Sequence, residues 1–358
     1  MNKEELIKHI SQEIQSGRDV DLEYTINNIP YKIKFEKPDH NNGINIPSII
    51  AIPMIENFGK QVILESNNLE SGDFKHILEQ GIETGIRLAR LTDNKPGVIV
   101  VPLIPSYKDA PYFQQLSREC FELPITDRNY RIDEQIVRII EKAKEIVQSE
   151  RGINLEDKIF LNGYSSSGVF AQRFALLHPE LISTACIGGA SGSIPIPNEE
   201  FGYPIGISDY KELTGKEFDM DSYSQIDFTY YVGELETQNK AETRFDENGD
   251  PVPMHDMSYF DRSVPINVGK NQRNLLGTNM FDRIEKTIEK LKSLGIKVNH
   301  VIIPGRSHNN RSGIGVNEIG DKIVNDAYKD SISFKQIDDE FSRWFFKMIL
   351  DKNLDTNN

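Results

Sequence analysis

The sequence predicts an α/β protein with a mainly parallel central sheet and helices on both faces. Three observations lead there. Short apolar runs alternate with amphipathic helical stretches over most of the chain, which is the pattern of strand–helix–strand units. The run Val98-Ile99-Val100-Val101-Pro102-Leu103-Ile104 is continuous and β-branched, as a parallel strand covered on both faces should be. Ile159-Phe160-Leu161 leads through Gly163-Tyr164-Ser165-Ser166-Ser167-Gly168 into a helical stretch, a strand–turn–helix in the middle of the pattern.

The elements follow in order. Residues 3–16 carry Leu6, Ile7, Ile10 and Ile14 at the spacing of a short amphipathic helix. Leu22–Ile26 and Tyr31–Phe35 read as strands joined through a hairpin-like turn at Asn27-Asn28. Asp39–Gly43 is a loop, and Pro47–Pro53 and Lys60–Glu65 are further strands. Glu65-Ser66-Asn67-Asn68 closes the second of these. Asp73 then caps a helix to about Arg90, with Leu78, Ile82, Ile86 and Ala89 on one face. A turn at Asp93–Gly97 precedes the Val98–Ile104 strand, and a long polar and aromatic connection, 105–127, follows it. Ile132, Ile136, Ile139, Ile140, Ala143 and Val147 mark the next helix.

The helix after the serine turn carries Val169, Phe170, Phe174 and Leu177. It stops at His178-Pro179, because proline cannot continue a helix and disfavours helical geometry in the residue before it. Strands Ile182–Ile187 and Phe228–Val232 come next. A helix with Ile284, Ile288, Leu291 and Leu294 ends at Gly295, before strand Val298–Ile303. The last helix carries Ile337, Phe341, Trp344, Phe345 and Met348. No linker-like composition divides this pattern, so residues 1–358 are expected to form one domain. Two excursions interrupt it, 190–226 and 237–280. Long connections of this kind are candidate lids or substrate-binding loops.

Composition narrows the function. A chain of 358 residues with 38% hydrophobic and 27% charged residues suits a soluble globular protein with a sizeable core. A formal charge of −14 argues against nucleic acid and against an anionic membrane surface as partners. Two cysteines, Cys120 and Cys186, imply no disulfide framework, and Cys186 lies in an apolar strand as a core thiol. The charged N-terminus lacks an apolar signal core, and no stretch is apolar enough to insert in a membrane, so the expected location is cytoplasmic. There is no H-E-x-x-H, no C-x-x-C and no histidine cluster at ligand spacing; Asp246–Asp250 lacks the full calcium-loop pattern. No phosphate loop or dinucleotide fingerprint is present, so neither metal nor cofactor is expected.

The chemistry centres on the serine turn. A serine lifted on so tight a bend exposes its hydroxyl at the end of a sheet, the geometry of a nucleophile elbow. The residues two before and two after the nucleophile come close together, so both must be small. Ser165 has Gly163 and Ser167 at those places, whereas Ser166 would have Tyr164. Ser165 is therefore the expected nucleophile. Ser191, in Gly189-Ala190-Ser191-Gly192, also follows an apolar strand, but Ser193-Ile194-Pro195-Ile196-Pro197 cannot open a helix after it.

A serine hydroxyl needs a base to take its proton, and the base needs an orienting acid. Folds with this elbow place serine, acid and histidine in that chain order, each at the end of a strand. Of seven histidines, only His308 follows the final strand. The acid belongs after Phe228–Val232, where Gly233-Glu234-Leu235-Glu236 stands. Glu236 is the first choice, since a turn through Gly233 brings a residue three further on back to the sheet end; Glu234 is the second. The oxyanion needs pre-placed donors. One is the backbone N–H of Ser166, and the other is a backbone or amide donor from Asn67 or Asn68, in a dipeptide that also favours plain turns.

The Gly163–Gly168 motif, the Gly233–Glu236 turn and Pro304–His308 thus occur in the right order on the right elements. On these residues the chain resembles the α/β-hydrolase superfamily. It is most similar to the bacterial esterase and polyhydroxybutyrate-depolymerase-like branch, where an Asn-Asn turn precedes the first long helix and a helix such as Phe170–Pro179 follows the elbow. The resemblance covers roughly residues 45–350. It departs from the usual pattern at Ser167, where glycine is expected, and at Glu236, where aspartate is commoner. It implies the α/β-hydrolase fold and serine hydrolysis by Ser165, Glu236 and His308.

The expected reaction is cleavage of a small-molecule carboxylic ester through an acyl-enzyme. The same triad serves amide or peptide cleavage or acyl transfer, and a hydrolase scaffold also serves non-catalytic binding. Tyr203, Tyr210, Tyr223, Tyr259 and Phe260, in the two excursions, either line an aromatic pocket or pack the excursions onto the core.

Overall fold

The computed structural model describes residues 3–68, 74–92, 95–105, 113–190, 195–233, 243–245, 251–253 and 280–303. Helix α1 (Lys3–Gln15) buries Leu6 and Ile10. Strands β1 (Val20–Ile26) and β2 (Ile29–Glu36) form an antiparallel hairpin. Its two turn residues, Asn27 and Asn28, have φ of 49° and 66°. Left-handed backbone at both positions matches the twist of the flanking strands, and asparagine tolerates it better than most residues. Along β2, Tyr31, Ile33 and Phe35 alternate into the core.

Strand β3 (Ser48–Pro53) runs antiparallel to both β2 and β5 (Val98–Pro102). Between them in sequence come β4 (Val62–Leu64) and helix α2 (Phe74–Leu91). A short helix α3 (Glu119–Glu122) and the long α4 (Ile132–Arg151) lead to β6 (Ile159–Tyr164). Then follow α5 (Ser166–Leu177), β7 (Ile182–Gly188), α6 (Tyr210–Thr214), α7 (Met220–Ser224) and β8 (Asp227–Gly233). The last described elements are β9 (Thr243–Phe245), β10 (Pro251–Pro253), α8 (Met280–Ser293) and β11 (Val298–Ile303).

Nine strands form one mixed, mostly parallel sheet in the order β1-β2-β3-β5-β4-β6-β7-β8-β11. β4 pairs in parallel with β5 and β6, and β8 with β7 and β11. Every residue of β3, β4, β5 and β6 is buried. Each large aliphatic side chain so buried contributes about 1.5–3 kcal/mol, so the centre of the sheet is a rigid base for whatever its strand ends carry. The described chain divides into two compact units, residues up to 114 with 123–161, and residues 115–122 with 162–303. The division falls inside β6, between Leu161 and Asn162.

Several expected boundaries shift for local reasons. The strand expected over Val98–Ile104 ends at Pro102, because the backbone N–H and carbonyl of Ile104 bond to the Asn67 side chain instead of a strand partner. The strand expected over Lys60–Glu65 keeps only Val62–Leu64. The helix expected from Val169 begins at Ser166, since the small residues of the turn adopt helical geometry at once. It ends as expected, with the His178 N–H on Phe174 O and Pro179 beyond.

The first excursion has structure of its own, α6 and α7, and Tyr203, Tyr210 and Tyr223 are 2%, 4% and 1% exposed. They pack the excursion onto the core. In the second, β9 and β10 pair antiparallel on either side of residues 246–250. Tyr259, Phe260 and Asp73 lie outside the described residues. Cys120 and Cys186 are buried. Among the described residues, no helix is long and apolar enough to cross a membrane.

Candidate active site

Strand β6 runs straight into α5 through one residue, Ser165. Its backbone has φ 60° and ψ −118°, a positive φ that costs a non-glycine residue of order 1–3 kcal/mol and persists only where the surroundings enforce it. The enforcement is visible. The Ser165 N–H donates to Gly188 O at the end of β7 (2.9 Å), and Ser165 O accepts from Val169 N (3.0 Å) in the first turn of α5. Gly189 N in turn donates to Tyr231 O (3.0 Å) on β8. Hydrogen bonds thus tie the serine turn and the ends of β7 and β8 to one another.

Glycines make this turn fit. A Cβ on Gly163 would lie 2.1 Å from Ser167 O and 2.8 Å from Gly168 N. A Cβ on Gly168 would lie 2.7 Å from the Ala190 Cβ and 2.9 Å from Gly188 O. The sequence argument required small residues around Ser165, and the contact that imposes the requirement is between Gly163 and the backbone of Ser167.

The three serines have different environments. The Ser166 hydroxyl is buried and accepts from Gln115 Nε2 (2.9 Å). The Ser167 hydroxyl is turned back on the strand end, accepting from Tyr164 N (2.9 Å) and donating to Tyr164 O (3.0 Å). Ser165 alone occupies the apex, half-buried, at the end of a central strand. The sheet order, with β3 antiparallel to both its neighbours and the serine turn following β6, decides the architecture.

The chain has the α/β-hydrolase fold.

No family model matches the sequence, and no curated protein matches it. Solved structures do. The chain is similar to poly(aspartic acid) hydrolase-1 from Sphingomonas sp. KT-1, with 14% identity, a TM-score of 0.47, and coverage of 86% of this chain and 98% of that one. It is similar to LpqC, a poly(3-hydroxybutyrate) depolymerase from Bordetella parapertussis, with 13% identity, a TM-score of 0.42, and coverage of 93% and 96%. It is also similar to an S-formylglutathione hydrolase from Agrobacterium tumefaciens, with 12% identity, a TM-score of 0.44, and coverage of 86% and 96%.

The other expected site residues divide into two groups. Asn67 and Asn68 follow β4, as expected. Asn67 is 1% exposed, and its side chain works as a piece of strand. Oδ1 accepts from Ile104 N (2.7 Å), Nδ2 donates to Ile104 O (3.0 Å), and the Asn67 N–H points at Pro102 O (3.4 Å). Just before it, the buried Glu65 carboxylate pairs with Arg87 at 2.6 Å. Those partners fix the course of the loop that leads to Asn68, which is half-buried.

Glu236, its alternative Glu234, and His308 lie outside the described residues, as does Ser191. The strands that lead to the acid and the histidine are described. β8 and β11 are parallel neighbours, and Gly233 and Ile303 face each other in register at their C-terminal ends. His300, within β11, is half-buried, and burial pushes its imidazole below the ordinary value, with Glu285 opposing and Lys292 adding to the shift.

Two buried polar residues escaped the sequence reading. Arg173, in the middle of α5, is fully buried, and Nη1 donates to Gln115 O (3.0 Å) and Leu116 O (3.3 Å). Gln115 falls in what reads as an irregular connection. Neither belongs to a motif, and the one available signal was a charged residue on an otherwise apolar helix.

Proposed function

We propose that this protein is a serine hydrolase of small carboxylic esters, with Ser165 as nucleophile, His308 as base and Glu236 as orienting acid. The observation that carries the reading is the backbone of Ser165: a non-glycine residue held at positive φ on the bend between a central strand and a buried helix. Strain of this kind clusters where function requires it, and the bend is that of a nucleophile elbow. The facing ends of β8 and β11 support the two partners, because Glu236 comes three residues after Gly233 and His308 five after Ile303.

In this reading His308 takes the Ser165 hydroxyl proton as Oγ attacks the acyl carbon. The carbonyl oxygen becomes an oxyanion, and the Ser166 N–H stabilises it; the first N–H groups of a helix have no partner within the helix. The second donor is assigned to the Asn67-Asn68 turn that follows β4. His308 then protonates the leaving alcohol. Water, deprotonated by His308, attacks the acyl-enzyme, and the proton returns to Ser165 as the acid departs.

The test is labelling with a fluorophosphonate probe alongside hydrolysis of p-nitrophenyl acyl esters. Wild type is expected to label and turn over. Ser165→Ala is expected to lose both, with a fall in kcat of at least about a thousandfold, while Ser191→Ala retains both. A folded wild type that neither labels nor turns over any ester overturns the proposal.

A further inference from the structure

We propose that Gln115 is a positioning residue for the oxyanion site: its amide holds Ser166, the residue whose backbone N–H follows the nucleophile. The inference rests on the serine-hydrolase reading above and adds a residue that no motif marks. The direct observation is the bond from Gln115 Nε2 to Ser166 Oγ, 2.9 Å long and buried.

The donor end of this amide explains why a glutamine is there. Gln115 is 4% exposed. Its Oε1 is buried with no hydrogen-bond partner among the described residues. A leucine or methionine would fill such a place without leaving a polar atom unpaired. The bond to Ser166 is what the amide supplies and an apolar side chain would not.

The glutamine is itself held from the helix it restrains. Ser166 and Arg173 are seven residues apart on α5, so they lie on one face of the helix. From that face Ser166 receives the Gln115 side chain, while Arg173 donates to the carbonyls of Gln115 and Leu116. The Leu116 carbonyl also accepts from the Tyr203 hydroxyl. Leu116 has φ 52°, so the segment is held in a shape it would not adopt alone. The result is a clamped segment that presents one amide to the first residue of α5. An N–H donor must be aimed before charge develops, and small errors in placement are costly. Ser166 follows the strained Ser165, where a relaxation of the backbone would turn that N–H away.

The experiment compares Gln115→Met and Ser166→Ala, which remove the same bond from opposite ends while keeping the Ser166 backbone N–H. Expected are a fall in kcat of about tenfold to a hundredfold with KM within about twofold of wild type; Ser166→Ala also leaves the Gln115 amide buried and unpaired, so its melting temperature falls by a few degrees while the variant stays folded. A trifluoromethyl ketone, which forms a tetrahedral oxyanion adduct, should lose affinity by the same factor as kcat/KM. The double variant should fall no further than either single, because both delete one interaction. An active wild type whose Ser166→Ala variant keeps full kcat/KM overturns the inference and leaves the hydrolase reading standing. So do losses confined to KM, or losses that add in the double variant. If Gln115→Met does not fold, Ser166→Ala alone decides. A wild type without labelling or turnover sinks the hydrolase reading, and this inference with it.

Discussion

The carbonyl oxygen of Ser167 occupies the place where a Gly163 side chain would begin: a Cβ there would stand 2.1 Å from it. Neither partner is free to move. Gly163 belongs to a fully buried strand and Ser167 to a fully buried helix turn. Gly163→Ala is therefore expected to destabilise the protein by about 2–4 kcal/mol and to lower fluorophosphonate labelling together with stability. Urea unfolding measures the first. A variant with wild-type stability would show that the turn opens at little cost.

Ser165→Gly should act in the opposite direction on stability. Removing the side chain relieves the positive φ, worth of order 1–3 kcal/mol, against about 0.5–1 kcal/mol of added chain entropy in the unfolded state. The net expectation is a gain of about 1 kcal/mol with complete loss of labelling. Equal or lower stability than wild type, in the same denaturant experiment, would mean that the bend stores no strain at this residue.

Asn67→Ala removes both partners of Ile104 at once, leaving a buried N–H and a buried carbonyl unpaired. The expected cost is about 2–4 kcal/mol. Asn67→Asp should cost a comparable amount, since a carboxylate cannot donate to Ile104 O. Hydrogen exchange at the Ile104 amide gives the local readout. Unchanged protection in Asn67→Ala would show that the loop re-pairs.

On β1 and β2, Asp21 faces Lys34 in register, and Glu150 from α4 reaches both Lys32 and Lys34 at 2.9 Å. Burial alone would raise the Glu150 carboxyl, but hydrogen bonds from Lys34 and Lys32 outweigh it and hold the group below its usual value. A carboxylate with a depressed folded pKa stabilises above its unfolded value, about 4.3, and the contribution disappears as pH falls through the lower folded value. Lys32 and Lys34 are raised, so their contribution is present below about pH 10.4 and is lost as pH rises through the folded values. Glu150→Gln should lower stability by about 0.5–1 kcal/mol at neutral pH. The gap to wild type should close below about pH 4 and narrow above about pH 10. Thermal melts across this range check it, and a gap that persists at pH 2 would mean that packing, not charge, is responsible.

Much of this fold is legible in the residues themselves. The continuous apolar run at Val98, the periodicity of Ile132 to Val147 and the Pro179 stop each act over a few residues, so local pattern suffices to read them. The choice of Ser165 over Ser166 also followed from chain chemistry, because the size of Tyr164 is a property of the sequence. What sequence did not reveal is where polar side chains spend their hydrogen bonds. Asn67 reads as a turn residue and serves as a strand partner for Ile104, across 37 positions. Gln115 reads as part of a loop and reaches Ser166, 51 positions away. Periodicity and spacing describe neighbours along the chain. The partner of a buried amide is fixed by the folded packing that brings distant segments together. The sequence by itself therefore determined the alternation of strands and helices and the serine turn, and the tertiary structure decided which polar groups hold that turn in shape.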